Sequence, residues 1–146
     1  MILRATLSVM LAATCGTAQS AEPRVRLTDI AVAGSLAVPS SDYKEAAAAA
    51  AQGGTPVDVA LAVAGRFEGS AQHIIQVNDG GESPVSSHVT VLRDGLLDDS
   101  IRGQRWDISL ERSASGPWRI KHVQLAWRCR RGADADAERF IAVRCP

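Results

Sequence analysis

The segment Ala71-Gln72-His73-Ile74-Ile75-Gln76-Val77-Asn78-Asp79-Gly80-Gly81 decides the fold class. Ala71, His73, Ile75 and Val77 recur at every second residue, the period of a strand whose two faces meet different surroundings. Asn78-Asp79-Gly80-Gly81 then supplies turn chemistry, because Asn and Asp tolerate left-handed backbone and Gly adopts it freely. Val85, Ser87, Val89 and Val91 resume the period of two, so the pair reads as strands joined by a turn.

The alternation continues downstream. Arg93-Asp94-Gly95 through Asp98-Asp99-Ser100 reads as a loop. A third strand then turns Trp106, Ile108 and Leu110 inward and Arg105, Asp107 and Glu111 outward. After a turn from Ser113 to Pro117, a fourth strand runs from Trp118 to Cys129. Val123, Leu125, Trp127 and Cys129 share one face there, whereas Trp118 and Ile120 have the opposite parity. That mismatch predicts a bulge near His122.

Upstream the period becomes helical. Thr55-Pro56-Val57-Asp58 combines an N-cap, a proline at the first helical position and an acid three residues after the cap. Val57, Ala60, Leu61 and Ala64 follow with apolar helical spacing, and Gly65 is the stop. Asp42-Tyr43-Lys44-Glu45 has the form of a capping box ahead of the alanine run Ala46 to Ala51, which Gly53-Gly54 ends. Between Arg24 and Val38, the period-two face Ile30, Val32, Leu36 and Val38 predicts an opening strand, broken near Gly34. The expected fold class is α+β: one or two N-terminal helices packed on a four- to five-stranded antiparallel meander.

Residues 1–21 have the anatomy of a secretory signal. Arg4 precedes an apolar stretch too short to span a bilayer, and small residues follow, with cleavage sites after Ala18, Ser20 or Ala21. Residues 22–146 are then a single exported domain, periplasmic or secreted. Leu11-Ala12-Ala13-Thr14-Cys15 loosely approximates a lipoprotein box, and lipidation of Cys15 is the alternative. If Cys15 leaves with the signal, Cys129 and Cys145 remain, and an even pair in an oxidising compartment reads as a disulfide. It would tie the tail carrying Phe140, Ile141 and Val143 to the end of the strand that carries Trp127.

Charge excludes some partners. The chain holds 16 basic and 16 acidic residues. Loss of Arg4 leaves a net charge of about −1, so no global field draws the protein to nucleic acid. Locally, Arg102, Arg105, Arg112, Arg119, Lys121, Arg128, Arg130 and Arg131 stand against only Asp107 and Glu111 between Ser100 and Arg131. If the outward faces of the third and fourth strands adjoin, these residues form an anion-binding stripe; the alternative is a solvated strand face. His73, His88 and His122 come from three strands with no ligand spacing. The reading favours a buried, hydrogen-bonded His73 and names no metal or cofactor. The acidic runs Asp94 to Asp99 and Asp134 to Glu138 lack the glycine and terminal glutamate of a calcium loop. Ser100 has no base or oxyanion donors in recognisable order, and no catalytic residue is assigned.

Asp98-Asp99-Ser100-Ile101, Gly103-x-Arg105-Trp106, Gly116-x-Trp118-x-Ile120, Trp127-x-Cys129 and the closing Cys145 resemble a group of small uncharacterised secreted proteins of bacteria. In that group an Asp-Asp-Ser-Val hairpin with a later Arg-Tyr or Arg-Trp leads to Trp-x-Cys, Gly-Arg-Gly and a final Cys. The resemblance covers roughly residues 98–146 and implies an exported, disulfide-bonded α+β domain without implying an activity. Arg130-Arg131-Gly132 stands where the group has Gly-Arg-Gly. The expected function is non-enzymatic binding or envelope support, with an anionic envelope component or another exported protein as partner. The alternative, by fold-level analogy, is a cystatin-like or NTF2-like cup with a pocket between sheet and helix, lined by His73 or an acid.

Overall fold

Strand alternation over the second half of the chain produces one antiparallel sheet that both helices pack against. The computed structural model describes residues 26–135 and 138–146. The export segment, Cys15 and the first residues of the expected opening strand lie outside the described residues. In chain order the elements are β1 (Ala31–Val32), β2 (Leu36–Ala37), α1 (Lys44–Ala51), α2 (Pro56–Ala64), β3 (Ala71–Asn78), β4 (Ser86–Asp94), β5 (Ile101–Glu111), β6 (Arg119–Cys129) and β7 (Arg139–Phe140). The main sheet has the order β2-β6-β5-β4-β3 with antiparallel neighbours throughout; β1 and β7 form a separate parallel pair. The domain is therefore α+β, with two helices on a five-stranded antiparallel sheet, as the sequence predicts.

The predicted bulge is present. Ser109 pairs with His122 and Leu110 with Ile120, which leaves Lys121 as the extra residue. The insertion flips the parity, so Trp118 reaches the same core as Val123. On the helix-covered face, Val89, Val91, Ile108, Leu110, Trp118 and Val123 pack against Ala47 of α1 and Val59, Ala60 and Ala64 of α2. A smaller cluster sits on the opposite face: Leu27, Ile30, Leu92, Ala126 and Phe140.

Local chemistry accounts for the helix ends. The Thr55 amide donates to Asp58 Oδ2 at 2.7 Å and the Asp58 amide to Thr55 Oγ1 at 3.2 Å, a complete capping box. Gly65 closes α2 at φ +69°. The box expected at Asp42–Glu45 does not form. A 3₁₀ turn at Ser40–Asp42 delays α1 until Lys44, and Tyr43 occupies the cap without a side-chain bond.

Other expectations are corrected. The opening strand is two separate pairs, β1 on β7 and β2 on β6, because the chain changes neighbours around Gly34. A Cβ at Gly34 would stand 3.1 Å from Ala142 Cβ, so glycine eases the close passage of the tail here. β4 runs through Arg93 and Asp94, which the sequence assigns to a loop. The apolar face of β3 also points the other way. Ile74 pairs with Val91 on the helix side, so His73, Ile75 and Val77 lie on the uncovered side, and His73 is exposed.

At the C-terminus, Ile141 bridges Trp127 and exchanges both backbone hydrogen bonds with it. Cys129 and Cys145 are disulfide-bonded with Cα atoms 5.4 Å apart. The bridge holds the tail beside the small cluster around the fully buried Phe140. Among the described residues no helix is long and apolar enough to cross a membrane.

Candidate functional site

Alternation places every second residue of β3 to β6 on the face that the helices leave uncovered. Cα pairing aligns Ile75, Thr90, Asp107 and Gln124 in one row and Val77, His88, Ser109 and His122 in the next. Asp107 is the hub of this face. It accepts from Arg105 Nε at 2.6 Å and from Thr90 Oγ1 at 2.7 Å, and His88 Nε2 lies 3.4 Å from its Oδ1. Burial works to raise the Asp107 pKa. Hydrogen bonds from Arg105 and Thr90, with the Arg105 charge, outweigh that and hold it below the ordinary aspartate value.

His88 Nδ1 lies 3.3 Å from Ser109 Oγ, so serine, imidazole and carboxylate form a chain. Its setting does not suit acyl transfer. Arg105 and Thr90 already draw on the Asp107 carboxylate, so its charge is shared and not reserved for the imidazole as an acid–base chain requires, and Ser109 sits mid-strand beside the bulge at Lys121. The chain braces the sheet surface. Among the described residues no group of three or more His, Cys, Asp or Glu is placed to hold a metal ion.

The basic residues singled out in the sequence are divided among several partners. Arg105 serves Asp107. Lys121 pairs with Glu111 at 3.1 Å and Arg131 with Asp99 at 2.5 Å. Arg112 donates to the Pro84 carbonyl and covers the Trp118 ring at 4.6 Å. Arg130 donates to the carbonyls of Asp98 and Leu96. Arg128, only 3% exposed, lies between Asp94 at 3.0 Å and Glu138 at 2.5 Å. Arg102 reaches the same two acids. Arg119 is exposed on the uncovered face, paired in register with Glu111. Parity explains the dispersal: Arg112 leans over the helix-side core, whereas Arg105 and Arg128 lie on the other face.

Two recesses flank the sheet. A polar groove of about 670 Å³ runs between Arg26–Ile30 and the Asp94–Arg128–Glu138 network. Its ionic groups are largely spent on one another. An apolar recess of about 440 Å³ opens between α1 and the start of β6, lined by Tyr43, Ala47, Ala51 and Trp118. Beneath α2 itself the interface is filled: Val59 and Ala60 meet Val89, Val91 and Ile108, all without solvent exposure. His73 is on the opposite side of the sheet from that interface.

The sheet's edges differ most. The outer side of β6 is covered by β2 at Gln124 and Leu125 and by Ile141 at Trp127. β3 forms the other edge over eight residues with no charge and no proline. Ile74 and Ile75 are each 39% exposed and Val77 is 59% exposed. Sequence periodicity marks β3 as a strand, but periodicity carries no information about which strand ends a sheet. No family model, no curated protein and no solved structure matches the chain.

Proposed function

We propose that this is an exported, non-catalytic binding domain that takes up a strand of an exported protein, a further copy of itself included, at the β3 edge and the adjoining sheet face. The observation that carries the reading is the bare edge. Natural sheets guard long edges with charges, prolines, bulges or covering segments, because unpaired N–H and C=O groups template further strands. Among the described residues β3 has none of these guards, and it presents Ile74, Ile75 and Val77 to solvent. Strand addition at such an edge draws affinity from backbone hydrogen bonds and specificity from the flanking side chains. The basic residues support an anionic-polymer partner less well, since most are already paired with acids or carbonyls within the domain.

Export is supported by the Cys129–Cys145 disulfide, a bond that persists in oxidising compartments. The signal-like N-terminus agrees, and the mass of the mature chain distinguishes cleavage at residues 18–21 from acylation of Cys15. A photo-crosslinking residue placed at Gln76 in the producing cell tests the binding surface. Adducts are expected from Gln76 and not from Ala48, on the exposed side of α1. Equal labelling at both positions, or none at Gln76, overturns the proposal.

A further inference from the structure

The backbone pairing fixes which atoms of β3 are available to a partner. Asp79 N–H donates to the Ser86 carbonyl, and the β3–β4 register places residues 79 and 86 opposite each other. In an antiparallel ladder such pairs alternate, so the odd-numbered residues of β3 bond to β4. The β4–β5 ladder agrees: Arg112 N–H donates to the Val85 carbonyl, which assigns the odd residues of β4 to β5 and its even residues to β3. Gln72, Ile74 and Gln76 therefore direct their backbone N–H and C=O groups away from the sheet.

Those same three residues are symmetric about Ile74, with glutamine two positions before and two positions after it. We infer that the partner of β3 is the β3 strand of a second copy of this chain, paired antiparallel about a two-fold axis at Ile74. The inference rests on the reading of β3 as the binding edge. In this register Ile74 meets Ile74 of the second copy as a hydrogen-bonded pair, and Gln72 meets Gln76 on both sides. On the uncovered face, His73 meets Ile75 and Ala71 meets Val77. Like residues thus face each other on the helix side, no charge enters the ladder, and the axis stands perpendicular to the sheet. Two five-stranded sheets then become one of ten strands, with all helices on one face, in an isologous dimer. The opposite edge offers no such pairing among the described residues, because β2 and Ile141 cover it.

Light scattering after size exclusion of the mature protein tests the inference. The wild-type chain is expected at twice the monomer mass across the micromolar range. Ile74→Lys places two ammonium groups on the axis and returns the monomer mass; Ile74→Leu keeps the dimer. Gln76→Pro removes an outward donor while sparing the β4 ladder, and it also returns the monomer. Circular dichroism and the melting transition confirm that each variant folds. Register is read from Ile74→Cys, which links to itself under mild oxidation if the axis is at Ile74. A wild-type chain that remains monomeric, or a dimer indifferent to Ile74→Lys and Gln76→Pro, overturns self-pairing. A monomer whose Gln76 still crosslinks to a heavier exported protein overturns self-pairing alone and leaves the binding-domain proposal intact.

Discussion

Arg93 donates through Nη1 to the carbonyl oxygen of Ala64 at 2.6 Å, so a central strand caps the C-terminus of α2. Its Nη2 donates to the Gly65 carbonyl at 2.6 Å and its Nε to Gln72 Oε1 at 2.9 Å. The side chain is 3% exposed, and its hydrogen bonds among the described residues go to carbonyl oxygens. The partial negative charge of the helix end takes the place of a carboxylate, and burial lowers the Arg93 pKa.

Replacement of Arg93 by methionine leaves three carbonyls without donors. A loss of about 3 kcal/mol in unfolding free energy is expected from denaturant titration. Arg93→Lys recovers only part of it, because an ammonium cannot reproduce the planar fork that serves Ala64, Gly65 and Gln72 together.

Asp107 sets an acid limit. Its pKa is depressed in the folded state, so its contribution is present above the unfolded value and is lost as pH falls through the folded value. Melting curves of wild type and Asp107→Asn are expected to differ most near neutrality, by about 1–2 kcal/mol, and to converge below about pH 4. A gap that stayed constant down to the acid range would contradict this assignment.

Gly103 lies in register between Asp94 and Arg128. A Cβ there would stand 2.7 Å from the Arg93 carbonyl oxygen and 2.9 Å from Asp94 Oδ1. Gly103→Ala is therefore expected to cost about 1–3 kcal/mol through overpacking. Chemical shifts or crystallography should show displacement of the Asp94–Arg128 pair.

Ser87 Oγ is buried on the helix side without a hydrogen-bond partner among the described residues. Ser87→Ala removes that unpaired hydroxyl at little cost in volume, and a gain of about 1 kcal/mol is expected in thermal or denaturant unfolding.

Cys145→Ser opens a loop whose ends are 16 residues apart in sequence. A loss of about 3 kcal/mol is expected in the chain-entropy view. Hydrogen exchange should accelerate first at Ile141 and Trp127, whose paired amides the bridge holds in place. A variant of undiminished stability would show that the bridge is not a staple.

The amino-acid sequence by itself determined the strands β3 to β6, the bulge beside His122, the α2 cap at Thr55 and the pairing of Cys129 with Cys145, but not the split of the opening segment into β1 and β2. Each depends on residues close in the chain or on counting to two. It misassigned Asp42–Glu45 because a short 3₁₀ turn competes with the cap, and it placed Arg93 and Asp94 in a loop because charge inside a strand looks like an ending. Only tertiary structure decided which side of β3 meets the helices. It also decided that the arginines between Arg102 and Arg131 are largely spent on acids and carbonyls, and that β3 ends the sheet with no cover among the described residues. Those outcomes depend on strand order and on partners far away in sequence. Alternation reports that a strand has two faces, and it is silent on what covers either of them.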